Sequence, residues 1–300
     1  MKRSILLLLV YVLLLTACSA PTSPLSTTPI DTGIDPSAWA HIPAGPFLRG
    51  QHQHPASIPV DYEIMVTDVT NAQYATYLTQ ALAQGKVRQS GDTIVGYYPG
   101  DPFHGARHEE KIEAGDWLHI PFREPGSKLT FNGKTFRALP GYENHPVVMV
   151  TWFGAKAYCE AQGGRLPSDD EWEKAARGTD DRPFPWGNQL ERNQANYYSS
   201  RDIFEKVFGK QGDTTPVGFY NGKTYSGYAT LAAASPYGLY DMAGNVWQWV
   251  STITPGTHYR FLRGGSKADY GYNLRIWSRN SARPDYAAIS IGFRCARNVK

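Results

Sequence analysis

Apolar side chains recur with a helical period in few segments of this chain. After Thr70, tyrosine and leucine side chains from Tyr74 to Leu82 follow the i, i+3, i+4, i+8 spacing of one buried helix face. Threonine is a residue type that caps helix N-termini, and Gly85 ends the pattern. The pattern predicts a first helix through about Gln84.

Two further helices follow close together in the sequence. Apolar positions after Thr151 predict a helix to about Gln162, where two consecutive glycines end it. Ser168 and Glu171 form a capping box, because the serine oxygen accepts the N–H three residues on while the glutamate reaches back. This box predicts a third helix through Ala176, and a glycine two residues later ends it.

The rest of the chain is punctuated by glycine, proline and asparagine. After Pro183 these residues are too frequent for long elements, so we expect short strands and long loops there. Residues 86–145 are expected to be the least regular stretch. Long loops need stabilisation by a metal ion or a disulfide bond, so one or the other is expected.

The segment around His104 has one pattern that is typical of a metal site. His104 and His108 have the spacing of a helical histidine pair, and Glu109 follows them directly. Pro102 and Gly105 weaken the helix that would bring both imidazoles to one face, and no third histidine is nearby in the sequence. We therefore expect an exposed loop that shapes the rim of a site.

The N-terminus has the pattern of an export signal. Lys2 and Arg3 precede an almost wholly apolar run over residues 5–15, which is too short for a stable membrane span. The sequence LTAC that ends at Cys18 resembles a bacterial lipobox, in which the cysteine is lipidated and becomes the first mature residue. A plain cleaved signal and an uncleaved anchor are the alternatives. We assign residues 1–17 to the signal peptide.

Residues 18–38 are rich in serine, threonine and proline, and they have too few large apolar groups to form a core. We expect an extended tether between the lipid on Cys18 and a domain of residues 39–300. No repeat of about 20–50 residues occurs, so we predict a single domain. The lipid would anchor the protein on the extracytoplasmic side of the bacterial cell envelope. Ser19 favours the outer membrane if the host has one.

The composition is that of a folded, soluble body. The chain has 41% hydrophobic and 19% charged residues, which excludes disorder over its whole length. Its 8 Trp, 19 Tyr and 12 Phe beside 29 Gly and 21 Pro favour an aromatic-packed, loop-rich domain over a helical bundle. Without Lys2 and Arg3, the 30 basic residues fall to 28 against 27 acidic ones. A nucleic-acid partner or a basic membrane-binding face is therefore not expected.

Six sequence blocks in order resemble the formylglycine-generating enzyme, or sulfatase-modifying factor, family. They are MVTDVTNAQYATYL (65–78), PVVMVTWFGAKAYCEAQGGRLPSDDEWEKAARG (146–178), FPWGN (184–188), YGLYDMAGNVWQWV (237–250), RGGS (263–266) and GFRC (292–295). The resemblance covers about residues 41–297 and implies an α+β fold related to C-type lectins, with low regular secondary structure and long loops. For the type member it also implies bound calcium and a cysteine-dependent, copper-using oxidation of a sulfatase cysteine to formylglycine.

Only three cysteines occur, at positions 18, 159 and 295, which is too few for a disulfide-stapled scaffold or a four-cysteine zinc site. The family pairs the cysteines of the two blocks that contain Cys159 and Cys295. In an exported protein these two are expected to form a disulfide bond. Two free, buried thiols are the alternative.

The resemblance further implies two calcium sites, which we expect to stabilise the domain. Irregular loops can offer the carbonyl and carboxylate oxygens that calcium requires. The first set of ligands is Asn196, Tyr197, Asp202 and Phe204. The second set is Asp241, Gly244, Val246 and Gln248, where the glutamine replaces a usual glutamate and the aspartate replaces an amide. Without the resemblance, Asn196 and Asp241 are equally typical of turn residues that cap their own backbone.

This chain departs from the family at the catalytic positions. In the family, two cysteines shortly after the Gly-Gly-Ser turn bind copper as thiolates, because a soft sulfur suits Cu(I). Here Asp269 takes the place of the first, and Leu274, or Asn273 if the alignment slips by one residue, takes that of the second. No cysteine lies between Cys159 and Cys295. Copper is therefore not expected, and no catalytic residue is assigned.

The residues around these positions predict a ligand pocket instead. Ser266 matches the serine beside the family's reactive sulfur, and aromatic rings with guanidinium groups suit a peptide, sugar or anionic ligand. The expected pocket residues are Trp247, Arg263, Ser266, Asp269, Tyr270, Tyr272, Arg275, Trp277 and Arg279. The alternative is that the tryptophans belong to the core and the arginines form structural ion pairs.

Two functional classes follow. The first is a monomeric, lipid-anchored binding module for an extracytoplasmic peptide, protein or glycan, stabilised by calcium and lacking the oxidase. The second is an oxidoreductase of the wider family that oxidises a protein cysteine or performs a related non-haem metal oxidation. Stoichiometric copper or iron would favour the second class, and calcium alone the first. A serine hydrolase is disfavoured, because no histidine or acid has a triad spacing to Ser266.

Overall fold

The computed structural model describes residues 29–205 and 212–299. The signal peptide, the lipidation site at Cys18 and the first part of the tether lie outside these ranges, so those assignments stay predictions. Within the described residues, no helix is long and apolar enough to cross a membrane. The same residues form an α+β fold with few helices, short strands and long loops, which confirms the expected fold class.

All three predicted helices are present, and the predicted caps of the first and the third are formed. The helices are α1 (Asn71–Ala83), α2 (Trp152–Ala161) and α3 (Asp169–Arg177). The side chain of Thr70 accepts a hydrogen bond from the N–H of Gln73, and Thr151 caps α2 in the same way. Ser168 and Glu171 form the complete capping box at the start of α3. Local side-chain chemistry therefore fixes where each helix begins.

The strands of the described residues are two to seven residues long. They are β1 (Trp39–Ile42), β2 (Gly45–Arg49), β3 (His54–Ile58), β4 (Tyr62–Met65), β5 (Val87–Ser90), β6 (Thr93–Tyr98), β7 (Gly115–Ile120), β8 (Leu129–Phe131), β9 (Phe136–Ala138), β10 (Thr224–Tyr225), β11 (Tyr228–Ala229), β12 (Trp247–Ile253), β13 (Arg260–Arg263), β14 (Arg279–Ala282), β15 (Ile291–Gly292) and β16 (Ala296–Asn298). They build small sheets, among them a four-stranded one of order β14-β13-β12-β15.

Residues 86–145 are more regular than the sequence indicates. β5, β6 and β7 form an antiparallel sheet, while β8 and β9 form a hairpin that packs against α1. The expectation of an irregular segment is wrong here, because strands of three to six residues give too few positions for a visible alternation. Irregular chain remains between β6 and β7, over residues 99–114.

The four-stranded sheet separates two hydrophobic cores. On β12, Trp247 and Trp249 face a core built by α1, α2 and the last residues of the chain, whereas Val250 faces a second core around α3. Trp172 of α3 is completely buried in that second core. Burial of an apolar side chain of this size contributes about 2–3 kcal/mol. The sheet is therefore packed on both faces.

A disulfide bond joins the first core to the C-terminal strand. Cys159 of α2 and Cys295 are bonded, with their Cα atoms 5.5 Å apart, as the sequence predicts. Both residues are fully buried. The bond closes a loop between positions 136 residues apart and fixes α2 to the segment that enters β16.

Residues 29–38 differ from the extended tether that the sequence indicates. Ile30 packs against an aromatic cluster of the domain, and Thr32 donates its hydroxyl to the carbonyl of Val217 at 2.9 Å. The carbonyl of Thr32 accepts a hydrogen bond from Lys223 Nζ at 2.9 Å. A single isoleucine and a few backbone groups make this contact, which is too small a signal to stand out in a Ser- and Pro-rich composition. The folded body therefore begins before β1.

The first and last strands have the same neighbour. β4 pairs with β1 on one side and with β16 on the other, so Ile42 and Asn298 both lie opposite Tyr62. The guanidinium carbon of Arg297 also lies 4.2 Å from the ring centroid of Trp39. The first and the last strand of the described residues therefore lie in one sheet.

Candidate functional site

The turn that follows β13 positions Ser266. Gly264 and Gly265 have φ angles of 94° and 72°, a left-handed conformation that glycine adopts without strain. A Cβ atom on Gly265 would lie 2.9 Å from the carbonyl oxygen of Asn273, so the chain can fold back on itself here only with a glycine. Ser266 is buried at this turn and donates its hydroxyl to Asp269 Oδ2 at 2.5 Å.

Asp269 and Leu274 are the residues that the resemblance aligns with the family's two cysteines, with Asn273 in place of Leu274 if the alignment slips by one residue. Asp269 also accepts hydrogen bonds from the Ser266 N–H at 3.0 Å and from the side-chain amide of Asn273 at 2.7 Å. Leu274 is fully buried in a small apolar cluster that contains Phe184. A carboxylate that caps a turn and a buried alkyl group offer no soft ligand, so this donor set does not fit Cu(I).

An exposed aromatic surface lies beside this turn. Tyr270 and Tyr272 are 65% and 62% exposed, and Tyr198 is 48% exposed. The rings of Tyr198 and Tyr270 are 4.9 Å apart between centroids, and the Tyr198 N–H donates to the carbonyl of Asp269 at 3.0 Å. Arg275 and Trp277 continue the surface. We call Tyr198, Tyr270, Tyr272, Arg275 and Trp277 the aromatic surface.

The guanidinium of Arg275 is part of this surface. Its central carbon lies 4.8 Å from the ring centroid of Tyr272 and 5.9 Å from that of Trp277. Within residues 29–205 and 212–299, its side chain contacts these two rings and forms no ion pair with a carboxylate. The segment 206–211, KVFGKQ, contains no acidic residue. The N–H groups of Arg275 therefore remain suited to hydrogen bonds with a ligand.

Three of the expected pocket residues are engaged in core packing or in ion pairs with acidic side chains. Trp247 packs in the first core. Arg263 is fully buried, where it bonds to Glu173 and lies 3.0 Å from Asp169 Oδ1. Arg279 lies 2.6 Å from the other oxygen of Asp169 and lines a separate cleft of about 450 Å³. For these three, the alternative of core packing and structural ion pairs describes the structure.

Sequence reasoning missed Tyr198 and named six residues that the structure does bring together, Trp277 among them. Ser266 and Asp269 form the turn, and Tyr270, Tyr272 and Arg275 lie on its outer side. Tyr198 follows the predicted calcium ligands Asn196 and Tyr197 directly, so the sequence does show an aromatic residue at this place. Its position against Tyr270 depends on a contact between distant segments. The assignment of a ligand pocket stays a prediction.

The loop around His104 is fixed by a histidine that the sequence did not single out. His258 lies between two carboxylates, with its Nδ1 2.9 Å from Asp101 and its Nε2 2.7 Å from Glu109. Burial opposes ionisation, but hydrogen bonds from the N–H groups of Ala106 and His104 and from His258 lower the pKa of Glu109 to about 2. The chain from 101 to 110 is irregular, as expected, although Glu109 itself is buried.

No group of three or more His, Cys, Asp or Glu side chains within residues 29–205 and 212–299 is arranged to hold a metal ion. The histidine pair at His104 and His108 is thus not part of such a cluster. Calcium sites built on amides and carbonyls need their own test, residue by residue.

The first expected calcium set is engaged by protein donors. Asp202 Oδ1 accepts from the N–H groups of Phe204 at 2.8 Å and Glu205 at 3.1 Å. Its Oδ2 accepts from the hydroxyls of Ser200 at 2.8 Å and Tyr220 at 2.6 Å. The carbonyls of Tyr197 and Phe204 accept backbone hydrogen bonds as well. Four donors directed at one carboxylate do not fit a calcium ligand.

Asn196 connects this set to the second one. Its side-chain amide donates to the carbonyl of Asp213 at 2.9 Å, and its own carbonyl accepts from the N–H of Asn245 at 2.8 Å. A Cβ atom on Gly244, which has a φ of 82°, would lie 2.4 Å from that carbonyl oxygen. The two expected sets therefore pack against each other.

In the second expected set, the side chains of Gln248 and Asp241 are both engaged by protein groups. Gln248 directs its side-chain oxygen at Trp172 and Arg294, at 2.7 and 2.8 Å, and donates its amide to the carbonyl of Asp241 at 2.7 Å. Asp241 Oδ2 accepts from the N–H of Gly218 at 2.7 Å. Burial raises the pKa of Asp241 to about 6, and the Gly218 N–H and Arg294 act in the opposite direction. This arrangement does not fit a cation held by both side chains.

Comparison with known proteins places this geometry in a family. The model of the sulfatase-modifying factor enzyme 1-like domain matches residues 32–299. The formylglycine-generating enzyme of Mus musculus is 36% identical over 293 residues, which are 85% of this chain and 73% of that protein. The inactive C-alpha-formylglycine-generating enzyme 2 of Mus musculus is 39% identical over 165 residues, 51% of this chain and 49% of its own length.

Other relatives contain the match as a smaller part. The serine/threonine-protein kinase pkn1 of Chlamydia caviae is 37% identical over 180 residues, 54% of this chain and 25% of the kinase. Among solved structures, PvdO from Pseudomonas aeruginosa has a TM-score of 0.54 at 21% identity, over 87% of this chain and 94% of that one. This last likeness concerns the fold alone. The chain belongs to the sulfatase-modifying factor, or formylglycine-generating enzyme, family.

Proposed function

We propose that this protein is a lipid-anchored, extracytoplasmic binding module that keeps the family fold without its cysteine and copper oxidase. Two positions support this proposal, because Asp269 and Leu274 supply neither a thiolate nor another soft ligand for copper. A murine relative is itself named an inactive formylglycine-generating enzyme. Loss of the oxidase with retention of the domain is therefore consistent with the family.

The aromatic surface is the observation that carries the binding function. Three exposed tyrosines and the guanidinium of Arg275 lie next to the place where the oxidase would have its catalytic pair. Tyrosine rings offer flat apolar faces with a polar edge, and the arginine offers several N–H donors. A peptide or a glycan can use both kinds of contact at once, by stacking on the rings and accepting hydrogen bonds. We assign such an extracytoplasmic ligand to this surface.

The anchor is inferred from the sequence. A lipid on Cys18 would leave the short segment up to Ile30 as the connection between the membrane and the folded body, because Ile30 already packs on the domain. The module would thus work close to the membrane of the bacterial cell envelope. Labelling of the expressed protein with a radioactive fatty acid tests this step, and a Cys18→Ala variant that still takes up the label would contradict it.

Binding is tested with peptide and glycan arrays and the purified protein. We expect the arrays to identify ligands of this protein. Their affinity should fall by at least about tenfold when both Tyr270 and Tyr272 are replaced by alanine, since loss of each ring contact removes about 1 kcal/mol. Tyr97, which is 68% exposed, provides a matched control, because its replacement by alanine removes an equally exposed ring elsewhere. If the Tyr97 variant lost as much affinity as the double variant, the ligand would not bind at the aromatic surface.

The oxidase alternative is tested separately. The protein is incubated with copper, oxygen, a thiol reductant and a cysteine peptide from a sulfatase, and the peptide is analysed by mass spectrometry. We expect the cysteine to remain unchanged. Formylglycine in the product, or stoichiometric copper or iron in the purified protein, would favour the oxidoreductase instead.

A further inference from the structure

A cleft of about 450 Å³ lies between the β2–β3 hairpin, the start of α3 and the strands β12 to β14. Its volume falls within the range of small-molecule sites, about 300–1,000 Å³. None of its lining residues belongs to the aromatic surface. The cleft is thus a separate candidate binding site.

Hydrogen bonds fix the walls of this cleft to one another. The N–H of Gly50, in the turn after β2, donates to Glu173 Oε1 at 2.5 Å, and its carbonyl accepts from Arg177 Nη2 at 3.1 Å. On the other side, the N–H of Asp169 donates to the hydroxyl of Thr252 at 2.9 Å. The hairpin and the end of β12 are therefore both attached to α3. A ligand enters a preformed cleft, so little ordering of the protein opposes its binding.

The charges that line the cleft occur in pairs of opposite sign. Arg279 Nη2 lies 2.6 Å from Asp169 Oδ2. Arg49 Nη1 lies 3.3 Å from Asp170 Oδ2 and 3.4 Å from its Oδ1. Together with the imidazole of His54, these four are the titratable side chains that the described residues contribute to the lining. While that imidazole is neutral, the charges balance, so the lining does not select for an ionic ligand.

The pair of Arg49 and Asp170 is accessible to a ligand. The two side chains are 45% and 35% exposed, and their N···O distances are long for a charged hydrogen bond. An exposed pair of this kind contributes little to stability, so a ligand can replace the contact at small cost. A carboxylate only accepts hydrogen bonds and a guanidinium group only donates them, whereas a hydroxyl group does both. Neighbouring hydroxyl groups can therefore bind to both side chains.

An apolar wall completes the cleft. Phe261, Ile253 and Pro255 line it, and Ile253 is 39% exposed. The guanidinium carbon of Arg279 lies 5.7 Å from the ring centroid of Phe261, so a donor group stands beside the aromatic ring. Within residues 29–205 and 212–299, Arg279 reaches carboxylates through Nη2, which leaves Nη1 and Nε for other acceptors. The cleft therefore offers apolar surface, hydrogen-bond donors and hydrogen-bond acceptors together.

We infer that this cleft is a second binding site and that its ligand is a neutral saccharide. Hydroxyl groups of the sugar bridge Arg49 and Asp170, while the C–H face of a sugar ring lies on Phe261 and Ile253. The backbone amides of a peptide donate from nitrogen and accept at oxygen, so no single group of that backbone serves both members of the pair. The inference goes beyond the proposed function, because it concerns residues outside the aromatic surface.

Saturation-transfer NMR with neutral disaccharides tests this inference. Cellobiose, maltose, lactose and N,N′-diacetylchitobiose are offered in turn to the purified protein, and glucuronic acid serves as a charged comparison. We expect transfer from the protein to at least one of these disaccharides. Its affinity should be the same at low salt and in about 0.5 M sodium chloride, because a neutral ligand has no charge for salt to screen. Transfer to none of the disaccharides, or to glucuronic acid alone, would overturn the inference.

Substitutions at the rim of the cleft locate the bound sugar. Arg49→Ala and Asp170→Ala each remove a hydrogen-bonding partner, so the dissociation constant should rise by at least about tenfold in each variant. Both side chains are partly exposed, so both variants should fold. Arg88→Ala is the matched control, because Arg88 forms a similarly exposed pair with Asp116 outside the cleft. An equal loss of affinity in this control, or unchanged affinity in both rim variants, would contradict the assignment.

The tyrosines of the aromatic surface separate this inference from the proposed function. A variant with both Tyr270→Ala and Tyr272→Ala should keep its affinity for the disaccharide, because neither ring lines the cleft. If this variant lost the sugar and both rim variants kept it, the sugar would bind at the aromatic surface. The cleft inference would then be overturned, while the proposed function would stand. Array ligands that ignore the same double variant would count against the proposed function alone.

Discussion

Removal of the disulfide bond should cost this protein a large part of its stability. The bond joins positions 136 residues apart, and the chain-entropy model for a loop of that length gives about 5 kcal/mol. Total stabilities of domains are about 5–15 kcal/mol, so the loss is a major fraction. Replacement of Cys159 and Cys295 by alanine removes the bond and leaves only small voids in the fully buried site, because each change removes a single sulfur atom.

The loss is measured by urea unfolding, followed through the tryptophan fluorescence of the two cores. The double variant should unfold at a much lower urea concentration than the oxidised protein. Unmodified protein treated with a reductant is the control, since it breaks the bond without changing any side chain. If both samples lost less than about 1 kcal/mol, the assumption that the bond restricts the unfolded chain would be refuted.

Three further predictions concern charged and titratable groups. Glu173 is buried between Arg177 and Arg263, so Glu173→Gln leaves two buried guanidinium groups without their carboxylate. The free energy of unfolding, measured by urea denaturation, should fall by about 3–5 kcal/mol. A loss below about 1 kcal/mol would contradict this. Burial lowers the pKa of His119 and of His145 to about 4, below their ordinary 6.5, so the unfolded chain binds these protons more tightly. Stability should therefore be lost as the pH falls from 6.5 to 4, by about 3 kcal/mol for each histidine, and a flat profile of melting temperature over this window would contradict it. His258→Ala removes the contacts of this side chain with Asp101 and Glu109 and leaves the Asp101–Arg260 bond in place. Trypsin should therefore cleave after Arg107 faster than in the unmodified protein, and an unchanged cleavage rate would refute the role of His258 in holding the loop.

The helices and the disulfide could be predicted because their signals are local or rest on family blocks. Thr70 and Ser168 cap helices through bonds to residues three positions on, a pattern visible in any sequence. The strands of residues 86–145 could not be predicted, because each has only a few residues and forms only by pairing with another strand. The fold class and the family followed from the six blocks.

The candidate site was predictable in its chemistry and less so in its arrangement. The absence of cysteines at Asp269 and Leu274 is a property of the sequence and needs no coordinates. Whether an arginine faces solvent or an acid depends on tertiary contacts. Arg263 reaches Glu173, 90 positions away, whereas Arg275 stacks on Tyr272. The same composition around Ser266 therefore contains both structural and exposed guanidinium groups.

The shared position of β1 and β16 beside β4 has a consequence for how this domain is combined with others. Because the first and the last strand both pair with β4, the two strands nearest the chain termini belong to one sheet, and sequence joined before β1 or after β16 extends from that sheet. A kinase of Chlamydia caviae matches this chain over only a quarter of the kinase's own length. This arrangement suits a unit that is joined to further sequence, as the kinase with its match to part of this chain is.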